Sequence, residues 1–136
     1  QPGELRVVAY KAGKKLGEKT VRTAGKPARL KLTVDRAQIE AGGMDLAYIL
    51  VEALDENGNP APLAGDKVSV SVEGNGSIAG VGNGNPQSFE PFQAEQVSLF
   101  NGKAMIIVRS GSGPGEVVVT AQAEGLGESR VEVAVQ

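Results

Sequence analysis

The sequence contains no histidine, no cysteine and no tryptophan among its 136 residues. Catalytic triads, histidine general bases and most zinc sites require imidazole or thiolate groups, so the composition excludes all of these sites. Disulfides cannot form, and aromatic residues make up only 4% of the chain, which limits the number of stacking surfaces. The chemistry that remains is that of carboxylates, amides, lysine, tyrosine, serine and threonine.

The charges are nearly balanced and evenly spread. Fourteen basic and sixteen acidic residues give a formal net charge of −2, and no block of like charge stands out. We therefore expect neither nucleic acid nor a membrane surface as a partner. No residue pattern predicts a cofactor.

Hydrophobic residues recur with a period of two along almost the whole chain, which predicts β-strands. Seven predicted strands after residue 29 are typical of an immunoglobulin-like antiparallel β-sandwich, and two earlier strands predict an N-terminal β-hairpin appendage. The predicted strands cover residues 5–10, 18–23, 30–34, 49–53, 68–72, 97–99, 104–109, 117–123 and 131–135.

Turn residues separate these strands. Asn101-Gly102 is the strongest hairpin signal, because both residues tolerate positive φ. Most glycines are predicted to lie in turns or in an irregular stretch from Gly74 to Gly84. Only residues 37–46 could hold a helical turn, and Gly42-Gly43 weakens that prediction.

Several motifs in the same order resemble one known family. They are Leu46-Ala47-Tyr48, Asp55 to Pro60, Ser77 to Phe92 and Phe100 to Val108. Together they resemble the immunoglobulin-like C-terminal domains of bacterial β-galactosidases in glycoside hydrolase family 2.

The resemblance divides the chain near Gly25-Lys26-Pro27. Residues 27–136 resemble the complete last domain. Residues 1–26 resemble the closing hairpin of the domain before it, which implies a fragment of a longer polypeptide.

The resemblance also implies a role without catalysis. In that family the catalytic carboxylates belong to a TIM barrel, which needs about 250 residues. This chain is too short to contain one, and no catalytic motif of the family has a matching position, so no catalytic residue is predicted. The implied function is that of an accessory domain in an enzyme that removes terminal galactose. Other domains of the enzyme would be its partners, and the implied location is periplasmic or secreted, although the sequence shows no signal peptide.

The glycine-rich motif supplies the candidate contact residues. A sugar site combines an aromatic ring with amide and carboxylate groups, and one loop here offers all three. Two alternatives remain open: the loop contacts another domain, or Phe89, Pro91 and Phe92 pack as a plug over an open end of the sandwich while the Asn side chains bond to local backbone groups. The candidates for carbohydrate or interdomain contact are Asn83, Asn85, Gln87, Phe89, Glu90 and Phe92.

Three other hypotheses carry less weight. Glu90 and Glu95 flank the same loop, but a glycosidase pair needs one buried acid, and most such side chains are solvated. Asp55 to Asn59 offers oxygen ligands, yet its spacing does not fit an EF-hand, so we predict a turn and no metal site. Tyr10 and Tyr48 are predicted to face solvent or another domain.

A bacterial surface adhesin is the alternative from a different functional class. Tandem immunoglobulin-like domains also build cell-surface stalks, and the sequence from Asp55 to Pro60 is shared with them. The segment from Gly80 to Pro91 favours the β-galactosidase family. The sequence upstream of this chain would discriminate between the two, since a TIM barrel supports one and a series of sandwiches the other.

Overall fold

The computed structural model describes residues 2–136, and every regular element in that range is a β-strand. The same residues form no helix that could cross a membrane. The strands are β1 (Glu4–Lys11), β2 (Lys14–Arg22), β3 (Arg29–Val34), β4 (Gln38–Ile39), β5 (Leu46–Leu54), β6 (Lys67–Gly74), β7 (Gly76–Gly82), β8 (Gln96–Ser98), β9 (Lys103–Ser110), β10 (Gly115–Ala123) and β11 (Gly127–Val135).

Nine of these strands form two sheets that pack face to face. One sheet has the order β3-β5-β9-β7, and the other has the order β4-β11-β10-β6-β8. All pairings are antiparallel except that of β4 with β11. The predicted immunoglobulin-like β-sandwich is therefore confirmed, with nine strands in place of the expected seven.

The core lies between the two sheets and follows from the period of two. On β5, the side chains of Ile49 and Val51 are fully buried, and on β9 those of Ile106 and Val108 are as well. The opposite sheet contributes alternate valines and alanines from β6, β10 and β11. Because successive side chains of a strand point to opposite faces, each central strand gives every second residue to this core.

Residues 4–22 form the predicted hairpin. Its two strands are joined by Ala12 and Gly13, both at positive φ. Two-residue turns of this kind match the right-handed twist of the strands that they connect. The hairpin pairs with no other strand of residues 2–136, and both of its faces are largely solvent-exposed. One face is apolar and carries Leu5, Val7 and Val21. The other carries three ion pairs, among them Arg6 with Glu18 at 2.6 Å.

A buried carboxylate holds the segment between hairpin and sandwich. Asp55 is 1% exposed and accepts hydrogen bonds from the backbone N–H of Gly25 at 2.9 Å and from the backbone and side-chain nitrogens of Asn59 at 2.8 and 3.0 Å. These bonds, with that of Gly25 first, lower the pKa of Asp55 to about 2. The carboxylate therefore stays ionised and fixes the point at which the chain enters the sandwich.

The turn at Asn101-Gly102 is present and is wedged against the rest of the domain. The hairpin predicted there is wrong, because β8 pairs with β6 in one sheet and β9 belongs to the other, so this turn carries the chain between sheets. Asn101 has φ +51° and Gly102 has φ +75°. The N–H of Gly102 donates to the carbonyl of Ala64, and its own carbonyl accepts from Ala53. A Cβ atom at Gly102 would lie 3.0 Å from the carbonyl carbon of Ala61 and closer still to its oxygen. Glycine is therefore required here both by backbone conformation and by space.

Two strands were not predicted from the sequence. The first is β4, which lies within residues 37–46, the segment in which the sequence allows a helical turn. Ile39 is 2% exposed, and its strand pairs with the end of β11, so burial of this side chain outweighs any local helical preference. The chain then turns through Gly42 and Gly43 without a helix, and Asp45 fastens this turn by accepting from the N–H of Glu40.

The second is β7, which lies within the glycine-rich stretch that was predicted to be irregular. Gly76, Gly80 and Gly82 belong to this strand and have no positive φ. A Cβ at Gly76 would lie 2.5 Å from a methyl carbon of Val117 and 2.7 Å from the carbonyl oxygen of Arg109. Close packing, and not a turn, explains the glycine there.

Candidate functional site

The loop of residues 83–95 connects β7 to β8 and so passes from one sheet to the other. Its amide side chains bond to the protein's own backbone. Asn83 Nδ2 donates to the carbonyl of Ser98 at 2.8 Å, and Asn83 Oδ1 accepts from the N–H of Asn85 at 3.0 Å. Asn85 Oδ1 in turn accepts from the N–H of Gln87 at 3.0 Å. Asn side chains thus fix two successive turns of the loop by local hydrogen bonds.

Glu90 is also held by the loop. Its carboxylate accepts the N–H of Ser98 at 2.9 Å and the hydroxyl of Ser98 at 2.5 Å. The hydroxyl bond first, and then the backbone bond, lower the pKa of Glu90, with a smaller contribution from the charge of Lys67. A glycosidase acid needs a raised pKa. Glu90 therefore has the wrong electrostatics for that role, and Glu95 lies exposed beyond it.

The two phenylalanines of the loop point into solvent. Phe89 is fully exposed, and Phe92 is 76% exposed. They do not plug the end of the sandwich, so that part of the alternative is wrong, whereas the predicted bonding of the Asn side chains to local backbone is confirmed. The carbonyl of Phe92 accepts from the N–H of Val81 at 2.7 Å, which ties this part of the loop to the sandwich edge. The loop is thus a braced segment that presents aromatic rings outward.

The loop encloses a depression of about 250 Å³ beside the edge of the sandwich. Five of its lining residues are Asn83, Asn85, Ser88, Glu90 and Phe92. The structure thus brings four of the six predicted contact residues together, and leaves Gln87 and Phe89 outside. Because the Asn and Glu groups already bond to the backbone, what the loop offers a ligand is mainly aromatic carbon.

The segment from Asp55 to Asn59 is a tight turn, as predicted. The carbonyl of Asp55 accepts from Gly58 at 3.0 Å, and its N–H donates to the carbonyl of Asn59 at 2.9 Å. Both carboxylate oxygens accept hydrogen bonds from the chain itself. Those oxygens are therefore directed at N–H donors.

A second surface was missed by sequence reasoning. The outward positions of β5 and β9 carry Tyr48, Leu50, Met105 and Ile107, which we call the apolar face. A groove of about 450 Å³ runs along it and is closed on one side by Phe92. The signal was present in the sequence of β5, LAYILVEAL, because a nearly unbroken apolar run indicates a strand with both faces covered.

A family model described as glycoside hydrolase family 2 C-terminal domain 5 matches residues 30–132. The chain belongs to this family. The resemblance drawn from the sequence is confirmed, and the glycoside hydrolase family 2 origin prevails over the adhesin alternative. Residues 30–132 are therefore a C-terminal domain of the glycoside hydrolase family 2 type.

Individual relatives agree with the family. A β-galactosidase of Bacteroides ovatus, BoGH2A, is 43% identical over all 136 residues, which make up 16% of its length. A crystal structure of a glycosyl hydrolase family 2 member from Bacteroides cellulosilyticus matches 98% of this chain and 17% of its own, with 37% identity and a TM-score of 0.91. A β-glycosidase structure from Bacteroides vulgatus matches 99% of this chain and 18% of its own, with 28% identity and a TM-score of 0.94. The chain thus spans less than a fifth of each.

Proposed function

We propose that this family 2 C-terminal domain is a non-catalytic accessory domain of a multidomain enzyme that hydrolyses terminal β-galactosides. The observation that carries the proposal is the 43% identity over all 136 residues to the Bacteroides ovatus β-galactosidase. The partners of the domain are then the other domains of its own polypeptide, and its contribution is to packing or to substrate access.

The test is an activity comparison between this chain and the longer polypeptide that carries it. We expect the longer polypeptide to release p-nitrophenol from p-nitrophenyl β-galactoside and the isolated chain to release none. p-Nitrophenyl α-galactoside is the control for the anomer, and p-nitrophenyl β-glucuronide is the control for the sugar. A longer polypeptide that cleaves only the β-glucuronide, or none of the three, would overturn the β-galactosidase assignment.

We also propose that residues 1–26 are the closing hairpin of a preceding domain and that residues 27–136 form the sandwich domain. In support, β1 and β2 pair with no other strand of residues 2–136, and their apolar face is uncovered. A two-stranded hairpin alone is marginally stable in water. In hydrogen exchange, we expect the hairpin amides to exchange rapidly in the isolated chain and slowly in the longer polypeptide. Equal exchange in both would contradict this division.

Carbohydrate binding by the loop of residues 83–95 is a second candidate, favoured by the complete exposure of Phe89. Aromatic rings stack on the apolar faces of sugars, and this loop is braced by its own hydrogen bonds. The test is a titration of the isolated chain with galactose, lactose and a β-galactan, followed by amide chemical shifts. Binding predicts saturable shifts in the loop that Phe89→Ala abolishes and Tyr10→Ala, at an exposed aromatic on the hairpin, preserves. The absence of shifts at millimolar sugar would leave contact with another domain as the role of the loop.

The periplasmic or secreted location implied by the family resemblance stays a proposal. Fractionation of cells that express the longer polypeptide from its own gene tests it. Recovery of the protein with cytoplasmic markers would contradict it.

A further inference from the structure

The outward side of a half-exposed antiparallel sheet normally carries polar residues. On the sheet β3-β5-β9-β7, the two central strands depart from that pattern at Tyr48, Leu50, Met105 and Ile107. The cross-strand register places Leu50 beside Met105 and Tyr48 beside Ile107, so the four side chains are contiguous. Tyr48 is 42% exposed and the other three are partly exposed. The apolar face is thus one patch and not a scatter of single residues.

The glycines of β7 give this patch its shape. Gly80 lies opposite Ile107 and Gly82 lies opposite Met105, so no side chains rise from the edge strand beside them. The ring of Phe92 stands at the far side, and a Cβ at Gly82 would lie 3.7 Å from its Cδ1. The result is the groove of about 450 Å³, with an apolar floor and an aromatic wall.

The chemistry of the groove selects the kind of occupant. Its walls are almost entirely carbon, so it lacks the fixed donors and acceptors that orient a sugar. Charged side chains surround it on the same side of the sheet. Among the outward positions of β3, β5 and β9, the basic residues are Arg29, Lys31, Lys103 and Arg109, and the acidic residue is Glu52.

This charge distribution disfavours a second copy of the chain. The whole chain has a net charge of −2, yet these strand positions carry four basic side chains and one acidic one, and Asp35 lies beside Tyr48 at the end of β3. Glu52 already pairs with Lys103 at 3.2 Å, and within residues 2–136 neither Lys31 nor Arg109 has an ion pair. A two-fold dimer through this face would bring like charges together, whereas an acidic partner surface would neutralise them.

We propose that the apolar face docks an apolar segment with acidic flanks from another domain of the same polypeptide. The proposal rests on the accessory role proposed above. The relatives leave ample chain for such a segment, since a domain of this size makes up only 16 to 18% of them. Leu50, Met105 and Ile107 form the contact, and Lys31 and Arg109 face the acidic flanks.

The two methionines of the chain provide a test. Met105 lies in the groove, whereas Met44 is 84% exposed in the turn before β5. Oxidation of methionine to the sulfoxide by peroxide follows exposure, and mass spectrometry reports each site separately. From the isolated chain to the longer polypeptide, we expect the rate at Met105 to fall about tenfold or more, because docking must open before oxidation. The rate at Met44 serves as the internal reference. An unchanged ratio of the two rates would overturn the proposal.

Two variants sharpen the result. Leu50→Lys puts a charge into the contact, and Thr33→Lys puts the same charge at the neighbouring position of β3, which is opposite Leu50 in the register. In the longer polypeptide, Leu50→Lys is expected to return Met105 to the rate of the isolated chain, and Thr33→Lys to preserve the protection. Equal effects of both variants would contradict docking at this patch.

Other occupants give different results in the isolated chain. Protection of Met105 that grows with protein concentration would assign the face to a second copy and overturn the proposal. Protection by added β-galactan would assign it to a sugar, with the same consequence. β-Galactosidase activity is measured on the same samples, so an active polypeptide with unprotected Met105 refutes the docking and leaves the accessory role intact.

Discussion

Two glycines with the same backbone conformation make it possible to separate steric cost from conformational cost in this fold. Gly102 and Gly125 both have φ +75° and both lie in turns between strands that are consecutive along the chain. A Cβ at Gly125 would meet nothing within 4 Å, whereas one at Gly102 would collide with the backbone of Ala61. The pair Gly102→Ala and Gly125→Ala therefore differs mainly in this collision.

The expected magnitudes follow from the two terms. A left-handed conformation costs an alanine about 1 to 2 kcal/mol, and this applies to both variants. Forcing an extra carbon against packed backbone adds about 1 to 3 kcal/mol at Gly102. The lower entropy of the unfolded chain with alanine affects both equally and cancels in the comparison. We expect Gly102→Ala to be the less stable variant by about 1 to 3 kcal/mol, or roughly 4 to 12 °C in Tm for a chain of this length.

The assay is urea unfolding followed by far-ultraviolet circular dichroism, since the chain has no tryptophan and only two tyrosines. Equal free energies of unfolding for the two variants would refute the reasoning. It would mean that the loop around Ala61 moves away at no cost, and that the contacts of Gly102 with Ala64 and Ala53 do not fix it.

Two further predictions concern the buried carboxylate and the alternation of the central strand. The pKa of Asp55 is lowered from 3.8 to about 2 on folding, so its stabilisation is complete above about pH 4 and is lost as the pH falls toward 2. The stability gap between the wild type and Asp55→Asn in urea should thus be widest near neutral pH and close toward pH 2, and a gap independent of pH would contradict the assignment. Ile106→Ala should cost about 2 to 5 kcal/mol, because the side chain is fully buried in the core. The neighbouring Ile107→Ala, on the apolar face, should lower the free energy of unfolding of the isolated chain by about 1 kcal/mol. If calorimetry shows a larger loss for Ile107→Ala than for Ile106→Ala, the assignment of Ile106 to the core and of Ile107 to the outer face is wrong.

The sequence predicted the strands whose buried side alternates cleanly. Val68, Val70, Val117 and Val119 are all within 4% of complete burial, and each was expected to face the core. The turn at Asn101-Gly102 was also foreseeable, since few residue pairs adopt positive φ at both positions. Local chemistry determines these features, so they are visible without tertiary information.

The missed features depend on contacts between distant residues. Two residues such as Gln38 and Ile39 give no recognisable period, and only the end of β11 makes them a strand. Gly76 suggests a turn until the nearby Val117 shows why no side chain fits. Likewise, the exposure of Phe89 depends on how the whole loop folds, which the alternation pattern does not report. Tertiary packing overrides local propensity at each of these positions.

The pairing of β4 with β11 also determines when the domain can finish folding during synthesis. Residues 38–39 find their partners only at residues 134–135, and β3 packs near β11 as well. The ribosome needs roughly 5 to 20 s to make the intervening stretch. Throughout that time the first strands of the sandwich must wait with open edges, which are prone to pair with other nascent chains. Folding of this domain is therefore necessarily completed late, after nearly all of its strands have been translated.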